Sequence, residues 1–175
     1  AHLTKGGDSR VAVGDWVLAR VPAGHDMGLI LQILRRESDI ARWRGGSRGE
    51  RQTLAANVGV VLVVQQLSAA PISCERIARS AVIARDCGAG VAVVLTKADR
   101  APSAVLTEDV SAVRDVLGKE CGLVMTSSAD GVEAERAEKD AGALGVAWGP
   151  AAVRSLVPEG TVAIVLGESG AGKST

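Results

Sequence analysis

The stretch Gly167-Glu168-Ser169-Gly170-Ala171-Gly172-Lys173-Ser174-Thr175 constrains this chain more than any other. It follows the apolar run Val162-Ala163-Ile164-Val165-Leu166, with Glu159-Gly160 as the turn before it. Such a run reads as a buried strand. A strand, then G-x-x-x-x-G-K-[ST], then the start of a helix is a phosphate-binding loop. Gly167, Gly170 and Gly172 let the backbone curl with its N–H groups inward, where a Cβ would obstruct. Those donors, running through Ser169 and Ala171 to the helix N-terminus, make an anion site. Lys173 would place a positive charge on the β- and γ-phosphates. Ser174, with Thr175 beside it, would put a hydroxyl on Mg²⁺. The competing reading is a glycine-rich turn before an ordinary helix; the strand and the Lys-Ser register argue against it. The loop alone does not say which nucleotide binds, since the same pattern occurs in many ATPases.

The rest of the chain must build the sheet that carries this loop. Apolar residues are 47% of the 175, enough for a core, yet there is no Phe or Tyr, so that core must be aliphatic. Formal charge is zero, which excludes a global field drawing the chain to nucleic acid or membrane; basic surface must be local. Cys74, Cys87 and Cys121 have no CxxC spacing and read as reduced thiols of a cytoplasmic protein. No apolar run reaches the roughly 18–20 residues of a membrane helix. The start has no Met and the end falls inside a motif, so a piece truncated at both ends is expected. His2 and His25 have no partner at metal-ligand spacing.

Residues 1–56 read as a small β domain. Strand-like runs fall within Val11–Val21 and Gly28–Leu34, with shorter ones at Ile40–Trp43 and Gln52–Ala55, divided by turn clusters. Trp16 reads as its core residue. The segment from Arg35 to Arg51 is locally basic, and Arg42, Trp43, Arg44 and Arg48 suit RNA: guanidinium groups pair with phosphate while an aromatic stacks on a base. A solvated loop whose arginines pair with local acids is the equal alternative.

From Asn57 to Thr175 the pattern becomes that of a parallel sheet. Val58–Val64 and Val91–Leu95 are continuous apolar runs, as strands buried on both faces require. A helix over Ser73–Cys87 is expected between them, stopped by Gly88 and Gly90. A helix near Leu106–Lys119 is expected to be capped by Thr107, with Glu108 and Asp109 in its first turn. Then come a strand at Cys121–Met125, an exposed helix at Val132–Ala143, and a short helix at Pro150–Leu156. Strands alternating with helices imply a three-layer α/β domain.

In such a sheet ligands sit beyond the carboxyl ends of the strands. Three ends carry polar chemistry: Thr96–Asp99, Ser127–Gly131 and Gly167–Thr175. Thr96-Lys97-Ala98-Asp99 resembles the Asn-Lys-x-Asp guanine-specificity motif of GTPases. The Asp99 carboxylate would accept from guanine N1–H and its 2-amino group, whereas adenine would leave that carboxylate unpaired. The Lys97 stem would cover base or ribose. Thr96 departs from the usual Asn and loses its amide contacts. Ser127-Ser128-Ala129 is similar to the turn that offers N–H groups to guanine O6.

The base-reading loops precede the phosphate loop, the reverse of ordinary GTPases. A β domain, then Leu54-Ala55-Ala56-Asn57-Val58, then Thr-Lys-x-Asp, then Gly-x-Ser-Gly-x-Gly-Lys-Ser, together with Val13-Gly14-Asp15-Trp16-Val17 and Leu34-Arg35-Arg36-Glu37-Ser38, resembles the RsgA (YjeQ) family of ribosome small-subunit-dependent GTPases. The resemblance implies an α/β fold: a partial OB-like β-barrel over 1–56, then a circularly permuted P-loop GTPase domain over 57–175, truncated at the loop. It implies a GTP-binding and GTP-hydrolysing factor for late maturation of the small ribosomal subunit, cytoplasmic and monomeric, contacting rRNA through the barrel. GTP/GDP and Mg²⁺ are the implied cofactors; zinc is expected only in a C-terminal domain outside this chain. Thr96, Lys97, Asp99, Ser127 and Ser128 would hold the base. Lys173 and Ser174 would serve catalysis, Ser174 as the Mg²⁺ ligand. The switch residues that position water are expected beyond Thr175, so the piece alone is expected to be inactive. A nucleotide-gated ribosome-binding module without significant hydrolysis is the alternative.

Overall fold

The computed structural model describes residues 10–24, 26–43 and 51–174, without the side chains of 42 and 43. His2, His25, Arg44, Arg48 and Thr175 lie outside them. The chain forms two compact units, Ala1–Gly59 and Val60–Thr175.

The first unit consists of two antiparallel hairpins. Strand β1 (Val17–Arg20) pairs with β2 (Leu29–Ile33), and β3 (Asp39–Trp43) pairs with β4 (Arg51–Ala56). Each carries a register shift, at Leu18/Ala19 and at Ile40/Ala41. Polar side chains fasten the unit. Arg36 forks onto Asp15, with Nε donating to Oδ1 at 2.6 Å and Nη2 to Oδ2 at 2.7 Å, and its Nη1 donates to Thr53 Oγ1 at 2.8 Å. Planar bidentate pairing of this kind is strong and directional. Arg51 pairs with Asp39 at 2.6 Å. Two arginines of the basic segment are therefore spent on internal acids. Trp16, expected in the core, is 70% exposed. The β1–β2 hairpin is only two strands wide and its apolar residues, Leu18, Leu29, Ile30 and Leu31 among them, are exposed with it.

The second unit is α/β. Strand β5 (Val58–Gln66) leads to helix α1 (Cys74–Asp86), and β6 (Gly90–Thr96) leads through a 3₁₀ turn (Ala98–Arg100) to α2 (Ser103–Leu117). Then follow β7 (Gly122–Met125), α3 (Val132–Ala143), β8 (Ala147–Trp148), α4 (Gly149–Ser155) and β9 (Val162–Gly167). The sheet order is β8-β7-β6-β5-β9, with β5 to β8 paired in parallel. Consecutive strand residues point to opposite faces. Val63 and Val64 are both buried, as are Val93 and Val94, so both faces of the sheet are covered. On one face Val64, Val94 and Ala171 cluster with Val153 and Leu156, which places α4 there.

Helix α2 begins earlier than expected, at Ser103 after Pro102. Proline and the residues after it suit a helix start because a missing N–H costs nothing there. Thr107 is consequently inside the helix, its Oγ1 donating to the Ser103 carbonyl at 3.0 Å instead of capping. Asp109 is not in a solvated first turn. It lies on the buried face with Leu106, Val110 and Val113 and is 2% exposed. The spacing 106, 109, 110, 113 is that of one helical face, and it carried this signal.

Candidate nucleotide site

The site is built from the ends of β5, β6, β7 and β9. Strand β6 ends at Thr96, which is buried, and its Oγ1 donates to the Ala171 carbonyl at 2.6 Å. Lys97 follows in the left-handed region, φ 56°. A side-chain-bearing residue pays about 1–2 kcal/mol for that conformation. Its Nζ donates to the Gly170 carbonyl at 2.6 Å and to Gln66 Oε1 at 2.9 Å. Two segments 75 positions apart in sequence are thus joined by a buried hydroxyl and an ammonium.

The 3₁₀ turn carries Asp99, half-buried. Ser127, just past the end of β7, donates its hydroxyl to Asp99 Oδ1 at 2.5 Å, and Ser127 Oγ in turn accepts from Ala129 N–H at 3.0 Å. Ser127 therefore fixes the carboxylate while its own turn fixes Ser127. Ser128 is exposed on that turn. Backbone bonds from Thr126 N–H to Leu95 at 2.9 Å and from Ala98 N–H to Thr126 at 3.2 Å hold the two strand ends together.

Strand β9 delivers Gly167 so close to β5 that a Cβ there would lie 2.5 Å from the Val64 carbonyl oxygen. Glycine is needed at 167 for approach and at Gly170 for its φ of +79°. Ala171 is buried, Gly172 faces Thr96, and Ser169 and Ser174 are exposed. Lys173 Nζ donates to the Gly167 carbonyl at 2.9 Å and to that of Glu168. An ammonium has three donors, so one remains for an anion. Lys173 and Ser174 are in a turn; α-helical bonds close four residues on, beyond the described residues. A cavity of about 280 Å³ opens behind the loop, walled by Val64, Val94, Val153 and Val165 with Arg154 and Lys173 at its edge. Neither Asp99 nor Ser127 lines it.

Comparison with known proteins decides the family. Residues 33–175 match the RsgA GTPase family. The chain belongs to that family. Among curated RsgA proteins, each named small ribosomal subunit biogenesis GTPase RsgA, it is 33% identical over 166 residues to that of Xanthomonas campestris pv. campestris (strain B100). It is 34% identical over 166 residues to that of Xanthomonas oryzae pv. oryzae (strain PXO99A). Both alignments cover 95% of this chain and 39% of the RsgA relative, so the chain spans about two fifths of their length. The fold is shared with the crystal structure of YjeQ from Thermotoga maritima, at TM-score 0.64 and 21% identity, over 94% of this chain and 49% of that one.

Of the sequence-expected residues, Thr96, Lys97, Asp99 and Ser127 are joined by hydrogen bonds to one another's loops or to Gly170 and Ala171 of the RsgA phosphate loop. Arg42 and Trp43 are in β3, with side chains outside the description. Three contacts were not foreseen, two at the site and one on the buried face of α2. Gln66 bonds Lys97. Arg76 of α1 pairs with Glu168 of the loop at 2.7 Å. Asp109 accepts Ile72 N–H at 3.1 Å through Oδ1, while its buried Oδ2 has no partner among the described residues; burial pushes this carboxyl above the usual range.

Proposed function

We propose that the full-length protein binds a guanine nucleotide on this rim and hydrolyses GTP in late maturation of the small ribosomal subunit. The observation that carries the reading is the pair of bonds from Thr96 and Lys97 to Ala171 and Gly170. They bring the base-reading loop against the phosphate loop. The family and the names of the curated relatives support the activity and its ribosomal setting.

The parts divide the work by chemistry. Asp99, oriented by Ser127, accepts from guanine N1–H and the 2-amino group; a site built on that pairing rejects a base lacking it by orders of magnitude. Ser128 lies beside the base on the Ser127 turn. The backbone curl from Gly167 through Ser169, Gly170 and Gly172 surrounds the phosphates. Lys173 offers its remaining donor to developing negative charge, the part of phosphoryl transfer that proteins chiefly supply. Ser174 presents a hydroxyl oxygen, a hard donor that suits Mg²⁺, which keeps waters and phosphate oxygens as its other ligands. When bound, Mg²⁺ neutralises charge on the phosphate oxygens.

The test is base selectivity. Asp99→Asn reverses the pairing requirement at the base, so GTP binding should fall by at least about a hundredfold while xanthosine nucleotide binding rises. Unchanged GTP affinity, or a wild type that prefers ATP, would defeat the reading.

For the ribosomal contact we propose rRNA binding by the first unit through Arg42, Trp43, Arg44 and Arg48, in a cytoplasmic monomer. Arg36 and Arg51 already hold Asp15 and Asp39, so the proposal does not draw on them. Subunit binding should then depend steeply on salt, and replacing Arg42, Arg44 and Arg48 with Ala should lower the slope of log K against log salt by about 2–3. An unaltered slope counts against the contact.

A further inference from the structure

We propose that Gln66 is a positioning residue for nucleotide binding, acting through Lys97; the inference rests on the guanine-nucleotide reading above. Gln66 is the last residue of β5, in register with Thr96 of β6. The next backbone bond, Leu67 N–H to the Thr96 carbonyl at 2.8 Å, continues the pairing past it. The Gln66 backbone is therefore fixed by the sheet. Its side chain presents Oε1 to Lys97 Nζ at 2.9 Å.

Lysine carries a point charge on a flexible stem with three rotatable donors. One acceptor, the Gly170 carbonyl at 2.6 Å, leaves the ammonium free to swing about that contact. A second acceptor from a different strand removes the freedom. The Lys97 stem is then set across the strand ends, where the base or ribose is proposed to lie. Ordering it in advance lowers what binding must spend on ordering it later. Both recorded acceptors are neutral, so the contact orders the lysine without cancelling its charge. A glutamate at position 66 would cancel it. This assigns a reason for glutamine here: an acceptor of the right length, without a charge.

The experiment is GDP release from the full-length protein, followed with a fluorescent GDP analogue in wild type, Gln66→Leu, Lys97→Met and the double variant. Leucine keeps the bulk and deletes the acceptor. Gln66→Leu should speed release roughly three- to tenfold, the worth of an ordinary net hydrogen bond, since the contact is only part-buried. In the Lys97→Met background the same change should have no further effect, because Gln66 acts through that ammonium. Equal release from wild type and Gln66→Leu overturns the proposal. So does equal acceleration in both backgrounds, which is the mark of a merely structural glutamine. A wild type that fails to bind GDP takes down the guanine reading and this inference together, whereas a binding wild type with an indifferent Gln66→Leu removes this inference alone.

Discussion

Thr96 stands where the Asn-Lys-x-Asp motif has asparagine, and its hydroxyl makes a contact of its own. Its Oγ1 is buried and donates to the Ala171 carbonyl at 2.6 Å, so the base loop remains tied to the phosphate loop through one short bond. An unpaired buried carbonyl costs about 1–3 kcal/mol, more than the net value of the bond that satisfies it. Thr96→Val, with the same shape and no donor, should lower stability by about 1–2 kcal/mol in denaturant titration and loosen the loop enough to weaken GDP binding severalfold. Thr96→Ser should retain most of both. Equal stability for Val and Ser would show that the hydroxyl counts for no more than the methyl group at this position.

At the scale of elements, what was legible in the sequence follows from how local each signal is. Strands β5 and β6 were readable because strands buried on two faces must be apolar without interruption. Helix α3 was readable from a charged, alanine-rich run bounded by Gly131 and Leu144. Strand β8 is two residues long, below any periodicity. The first turn of α2 was misplaced because Thr107 offers a good cap, but Pro102 offers a better start five residues upstream. In the site, the loops were legible from their motifs, but Gln66 with Lys97 and Arg76 with Glu168 were not, because those contacts depend on sheet register and side-chain reach between distant positions. Trp16 was misread because aromatic character suggests burial, whereas it precedes a hairpin whose own apolar residues are exposed. The approach of β9 to β5 gives an element-scale test. With the Val64 carbonyl 2.5 Å from the position of a Cβ on Gly167, Gly167→Ala requires the two strands to separate locally. Forced overpacking of this kind costs about 1–3 kcal/mol. Thermal denaturation should show that loss together with loss of GDP binding, since the strand end is also the start of the phosphate loop. An alanine variant as stable as wild type would mean the strands are not held this closely.

For the whole molecule, acid should act on the two units in opposite directions. In the first unit the Arg36 hydrogen bonds hold the Asp15 carboxyl below its ordinary range, and the Arg51 hydrogen bond does the same for Asp39. A carboxyl whose folded pKa is depressed contributes stability that is complete above the unfolded value, about 3.9, and is lost as pH falls through the folded value. In the second unit, burial raises the Asp109 carboxyl, against the bond from Ile72 N–H that lowers it. There the folded state binds its proton more tightly, so stability is greatest below the ordinary value and declines as pH rises through the folded one. Acidification from neutrality to below the ordinary carboxyl value of about 3.9 should therefore progressively weaken protection in β3 and β4 while β5, β6 and β7 keep theirs, read as amide-exchange protection factors corrected for intrinsic rates. Asp109→Asn supplies the internal control. It removes a carboxyl whose charged form burial disfavours and whose Oδ2 is unpaired among the described residues, so at neutral pH it should stabilise the second unit by about 1 kcal/mol, and that gain should vanish by about pH 3, below the ordinary carboxyl value. If β3 and β4 hold their protection through the acid range, the Arg36–Asp15 and Arg51–Asp39 pairs are not what fastens the first unit.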